Sequence, residues 1–144
     1  PLHVSFASDL GGNKTKVTSK NGQCTNLHWL WDQCLLTRQI TTKNHQARYQ
    51  YLLEKLQDIL QKSQLRADII AWQQSSVYDW ANESLALATS ASLGYCAMRD
   101  GSCQPNDQQP LVLNEQYQTV HAAKLNERIV QASVRLAFIL EQSL

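Results

Sequence analysis

Two residues of "NLHWLWD", residues 26–32, can do chemistry: His28 and Asp32, four apart in an otherwise apolar stretch. On a helix that spacing puts imidazole and carboxylate on one face, about 5–6 Å apart at Cβ. A divalent ion can then close between them, because Zn²⁺ takes a histidine nitrogen at about 2.0–2.1 Å and a carboxylate oxygen at about 2.0–2.2 Å. Asn26 is a good N-cap, so His28 falls in the first turn, where unpaired N–H groups and the positive helix end also suit an anion. The pair has a plainer reading too, a histidine–carboxylate contact at a helix start. His3 adds a third group. A turn-rich segment separates it from residue 26 and can bring it back to the helix. Two histidines and one carboxylate then form a three-ligand set with an open fourth position, the arrangement of catalytic zinc. Read otherwise, His3 is an ordinary exposed histidine.

The elements that must position these groups are mostly helical. Residues 4–22 hold Gly11-Gly12-Asn13 and Asn21-Gly22 among β-formers, which reads as a short hairpin or an irregular loop with tight turns. From Asn26 a helix is expected to about Arg38. Asn44 to Lys62 carries Leu52, Leu53, Leu56, Ile59 and Leu60 at helical spacing, and a third helix is expected over Arg66–Gln74. A fourth runs from about Ser76 to Leu93, with Gly94 as its C-cap. Residues 97–112 hold two of the three prolines and read as a loop. Asn114–Ser143 is a long amphipathic helix with Leu125, Ile129, Ala132, Leu136 and Ile139 on one stripe. The expected fold class is therefore mainly α, a helical bundle with a short β-hairpin near the N-terminus, forming a single unit over residues 1–144.

Composition narrows the function classes. Charged residues are 17% of the 144, below the usual ~25%, and the formal net charge is +1. No broad basic face exists to draw nucleic acid from a distance, so any phosphate recognition must be local. No apolar run approaches the ~20 residues of a membrane span. Cys24, Cys34, Cys96 and Cys103 allow three pairings if oxidised. "CAMRDGSC" favours Cys96–Cys103 across an Asp-Gly turn, while Cys24 and Cys34 can meet only if the chain before the helix folds back along it. The even count points to an oxidising compartment, periplasmic or secreted, with four reduced buried thiols as the alternative. No C-x-x-C pair suggests a cysteine zinc site.

Read together, Pro1-Leu2-His3, Gly11-Gly12-Asn13 and Asn26-Leu27-His28 with Asp32 resemble the pattern of the zinc-dependent S1/P1 nuclease family, distant relatives of bacterial phospholipases C. "DWANESLALA", residues 79–88, and "ASVRLAFIL", residues 132–140, are similar to two further helices of that family, so the likeness spans nearly the whole chain in order. The resemblance implies a mostly helical enzyme with three clustered zinc ions that cleaves single-stranded DNA and RNA to 5′-mononucleotides and removes 3′-phosphates. It assigns His3, His28 and Asp32 to one zinc and makes charge stabilisation the work of metal rather than arginine. Other ligands of the family pattern, including a His-x-x-x-Asp expected just before Pro1, are not in this sequence. The chain is thus expected to be the C-terminal portion of such an enzyme, with the catalytic residues upstream of Pro1. Ser133-Val134, where the family usually carries glycine, and the cysteine-bearing loop at 94–112 depart from the pattern.

Other residues carry weaker signals. Asn13 is a candidate substrate contact, although turn formation explains it and Asp9 equally well. His45 and His121 read as structural or exposed. Trp29, Trp31, Trp72 and Trp80 can stack on bases, but core packing is the commoner role. Two rival functions remain at this level: a zinc phospholipase C acting on a lipid phosphodiester, and a metal-free helical interaction module.

Overall fold

A computed structural model describes residues 2–19, 23–40, 44–61, 65–105 and 109–144. Its helices start where the sequence supplies caps. The Asn26 side chain accepts the Trp29 N–H at 2.8 Å and opens α1, Leu27–Trp29. This runs through a π-helical turn, Leu30–Cys34, into α2, Leu35–Thr37, as one continuous rod. Asn44 caps α3, His45–Leu60, and α4 covers Leu65–Gln74. Ser76 and Asp79 form a reciprocal capping box at the start of α5, Val77–Ala88. Asn114 opens α6, Glu115–Ser143, with its side chain on the Tyr117 N–H. The expectation of a mainly helical fold is met.

The β-structure lies elsewhere than expected. In residues 4–22, short 3₁₀ turns at Leu2–Val4 and Ala7–Asp9 precede one strand, β1, Val17–Ser19. Lys16 makes a single antiparallel bridge to Asn26, and Asn21-Gly22 lies outside the described residues. The antiparallel hairpin is formed by β2, Cys96–Arg99, and β3, Ser102–Pro105, inside the segment read as a loop. Its turn is Asp100-Gly101, both at positive φ (51° and 75°), the backbone that suits a two-residue hairpin connection. The Cys96–Cys103 disulfide ties the two strands. Further on, β4, Leu111–Leu113, pairs in parallel with β1.

Burial concentrates around the first helical rod. Leu27, Leu30, Trp31 and Leu35 point into a core completed by Leu2, Ala88, Leu93, Tyr95, Leu113 and Leu125. Cys24 and Cys34 are bridged, so the chain before α1 does fold back along the rod. The far half of the molecule is looser: α3 contributes no buried residue, and Tyr49, Leu52 and Leu60 remain exposed.

A polar cluster joins α5 to α6. Glu83 receives Arg128 Nη1 at 2.7 Å and Arg135 Nη2 at 2.6 Å. Arg128 also donates to Ser84 Oγ and Gln131 Oε1, and the Arg135 guanidinium lies 5.2 Å from the centre of the Trp80 ring. Burial pushes the Glu83 pKa up, but the hydrogen bonds from Arg135 and Arg128 outweigh it and hold the carboxyl below its usual value. The "WANES" segment therefore supplies a helix–helix lock, and Trp80 is half-buried as one wall of it.

Candidate metal centre

His28 and Asp32 stand on the same rod, and His3 is delivered by the first 3₁₀ turn. Leu2, buried, anchors that turn against the core, while the neighbouring His3 stays exposed. Between the two histidine-bearing segments sits the Gly11-Gly12 turn. A Cβ on Gly11 would stand 2.8 Å from the Leu2 carbonyl oxygen, and one on Gly12 would stand 3.3 Å from the His28 backbone nitrogen. Both glycines also have positive φ, 63° and 91°. Only residues without a side chain let the turn touch both segments so closely.

The result is convergence. His28 Nε2 lies 3.0 Å from Asp32 Oδ2, and the His3 and His28 rings meet edge to face with centroids 4.6 Å apart. One ligand atom from each of His3, His28 and Asp32 falls within 4.8 Å of the others. The tautomer follows from chemistry. His28 Nδ1 is 2.9 Å from the Gly11 carbonyl oxygen, which can only accept, so Nδ1 carries the proton. In the neutral ring Nε2 then presents a lone pair towards a carboxylate oxygen. Two such atoms at 3.0 Å need a cation between them, either a second proton on the imidazole or a metal ion. Two nitrogen donors and one carboxylate suit zinc, and a histidine fixed through its other nitrogen is the usual support of a metal ligand. The residues fit the ion.

Behind the turn is a buried carboxylate. Asp9 is 4% exposed and receives the Gly12 N–H at 3.0 Å, the Thr15 hydroxyl at 2.8 Å and the Tyr95 hydroxyl. Burial first, then the bond to Asp9, pushes the Tyr95 pKa well above its usual value, so the phenol stays a donor. Sequence reasoning took Asp9 for a turn former, which it is, and passed over Tyr95. Nothing in the sequence announces a pairing of residues 86 positions apart.

The other candidates sit apart. Asn13 is exposed, and its Nδ2 donates to the Leu10 carbonyl at 2.9 Å, closing its own turn. His45 is exposed at the start of α3. His121 is 2% exposed and donates Nε2–H to the Ser92 carbonyl at 2.9 Å, among the rings of Trp31 and Tyr117. Burial pulls its pKa down. Trp31 is core, while Trp29 is exposed next to His28 and donates to Gln33.

The sequence matches the S1/P1 Nuclease family over residues 1–144. The chain belongs to that family. Among proteins of Arabidopsis thaliana it is 28% identical to Endonuclease 1 over 147 residues, covering 99% of the chain and 44% of that protein. It is 29% identical to Endonuclease 3 over 143 residues (95% and 44%) and 25% identical to Endonuclease 5 over 142 residues (99% and 45%). No solved structure matches at a significant level. The S1/P1 chain thus spans less than half the length of the curated relatives it matches. Among its described residues no helix is long and apolar enough to cross a membrane.

Proposed function

We propose that this chain supplies one zinc-binding face of a phosphodiesterase that cleaves single-stranded DNA or RNA to 5′-mononucleotides and removes 3′-phosphates. The observation that carries the reading is the convergence of His3, His28 and Asp32 behind a tautomer-fixing bond from His28 Nδ1–H to Gly11. Family membership and the endonuclease names of the relatives support a nucleic acid as substrate.

Within the proposal each residue has a definite task. His28 presents Nε2 because its other nitrogen is occupied. Asp32 contributes the negative charge that a divalent ion needs, and its exposure leaves its second oxygen open to solvent or substrate. His3 stands on the exposed side of the cluster, away from buried Leu2 and Leu27, and would hold the ion where solvent and substrate can reach it. Bound there, zinc supplies Lewis-acid polarisation of a phosphoryl oxygen and acidifies a bound water towards neutral pH. Exposed Asn13, one residue beyond the glycine turn, is a candidate substrate contact through its amide oxygen. The relatives extend beyond the matched stretch, which is 44–45% of their length, and ligands for the remaining ions of a three-zinc centre, with the catalytic residues, would lie in the counterpart of the rest. Two disulfides fit an exported protein, periplasmic or secreted.

The test is hydrolysis of a single-stranded oligonucleotide by the full-length protein. Cleavage is expected to stop with a chelator and return with added zinc; cleavage indifferent to chelation, or none with zinc restored, rules the proposal out. Faster turnover of phosphatidylcholine than of oligonucleotide would instead make the enzyme a phospholipase C. A His28→Ala variant with unchanged metal content and activity would leave only an interaction module.

A further inference from the structure

We infer that Asp9 and Tyr95 are positioning residues for the metal centre, acting through the Gly11-Gly12 turn on the direction of His28 Nε2. The inference rests on the zinc reading above and extends it to residues that touch no ligand atom. Its basis is an unbroken chain of contacts. The Tyr95 hydroxyl, brought in just after α5, donates to Asp9 Oδ1. The same oxygen accepts the Gly12 N–H at 3.0 Å, and Asp9 Oδ2 accepts from Thr15 at 2.8 Å. The backbone of Asp9 takes the Lys14 N–H at 3.1 Å, so the carboxylate and its own carbonyl staple both ends of the turn.

The held turn acts on both histidines. Gly12 offers its carbonyl to the His28 backbone N–H at 3.3 Å, and Gly11 offers its carbonyl to His28 Nδ1–H at 2.9 Å. On its other side Gly11 abuts the carbonyl of Leu2, the residue before His3. Moving the turn therefore moves the imidazole of residue 28 relative to that of residue 3. A carboxylate buried to 4% exposure with three donors is an expensive way to make a turn that Gly-Gly-Asn forms by itself. What it adds is rigidity at the carbonyl that decides which nitrogen of His28 is free. Tyr95 adds the second clamp: it is fully buried, its ring packs edge to face on Phe6 at 5.0 Å, and the nearer, charged acceptor for its hydroxyl is Asp9 rather than Ser5 Oγ at 3.3 Å.

Tyr95→Phe tests this, because it removes one hydroxyl and keeps the packing. In the full-length protein, competition with a chromophoric chelator is expected to show zinc affinity about tenfold weaker, in the range typical of lost support behind a ligand. In the metal-free protein, at a pH alkaline enough that the imidazole carries a single proton, ¹⁵N-histidine spectra should show His28 changing from one tautomer, protonated at Nδ1, to a mixture. A residue that only stabilises the fold would lower the melting temperature and leave both readouts where they were. Asp9→Asn is the conservative control. Its amide oxygen can take the Gly12 and Tyr95 donors while its NH₂ donates to a rotated Thr15 hydroxyl, so affinity should stay within about threefold of wild type. Should Tyr95→Phe fail to fold, Thr15→Val, which removes the opposite donor, is expected to shift both readouts in the same direction. A folded Tyr95→Phe or Thr15→Val protein with a single His28 tautomer and zinc affinity within about twofold of wild type overturns the inference. If wild type and His28→Ala bind zinc alike, the metal reading fails instead, and the metal-free tautomer comparison still decides the positioning role.

Discussion

Two clusters of polar and charged side chains among the described residues are built on opposite rules. At Glu83, Arg128 and Arg135, donors alternate with acceptors: each carboxylate oxygen meets a guanidinium, and the spare N–H groups of Arg128 go to Ser84 and Gln131. At His28 and Asp32 an imidazole nitrogen faces a carboxylate oxygen, with the other ring nitrogen of His28 turned to the Gly11 carbonyl and His3 standing beside the pair. The first cluster balances its own charges and leaves only the buried Arg135 Nε without a partner; the second leaves an imidazole nitrogen facing a carboxylate oxygen, a place for a cation. Burial follows the same division, since Arg135 is 4% exposed while His3 and Asp32 reach solvent. A cluster that holds helices together and one that waits for a ligand can thus be told apart by where their hydrogens point.

Substitutions should break the contrast in order of size. His28→Ala is expected to cost zinc affinity more than the 10–100-fold typical of a supporting residue, with loss of activity in the full-length protein, measured by chelator competition and oligonucleotide hydrolysis. Its unfolding free energy without metal should barely move. Glu83→Ala should do the reverse. It leaves Arg135 buried without a partner, so stability falls by about 2–3 kcal/mol in denaturant titration, less than a fully buried pair because the Glu83 side chain is 34% exposed. Zinc affinity of the folded variant should be unchanged.

Proton linkage supplies a smaller effect. The His121 pKa is lowered by burial, so below its ordinary value of 6.5 the unfolded chain takes up a proton that the folded one refuses. Stability is then full above that pH and falls as the pH drops through 6.5 towards the folded value. Glu83, also held below its ordinary value of 4.5, adds loss at lower pH as its carboxyl is protonated. Denaturation at pH 7.5 and 5.5 should show the first loss in wild type and not in His121→Phe. Smallest of all, Arg128→Lys keeps the charge but loses the fork that spans Glu83, Ser84 and Gln131, for about 1 kcal/mol in the same titration.

The sequence made the second cluster legible and the first almost invisible. His28 and Asp32 declare themselves because helical spacing is local, and Asn26 marks where the helix starts. His3 needed only the glycine turn to return it. Glu83 and Arg135 meet across 52 residues, and Tyr95 reaches Asp9 across 86; no periodicity encodes such pairs. Helix starts at Asn44, about Ser76 and Asn114 agree with the structure to within a residue, since each is set by a local cap, a contact over two or three residues. The segment at 97–112 was misread for the opposite reason. Its prolines speak for a loop, and the Asp100-Gly101 turn gives the Cys96–Cys103 pairing but not the two short strands that flank it.

The Cys24–Cys34 bridge encloses both His28 and Asp32 in a ring closed over a separation of 10 residues. A ring that small remains a ring after its helix melts, so the imidazole and the acid stay neighbours in the denatured chain. Metal can then find part of its coordination sphere before folding begins, and affinity for the unfolded state subtracts from the protection that binding gives the native one. Heat resistance gained from zinc should accordingly be smaller with the bridge closed than with it reduced.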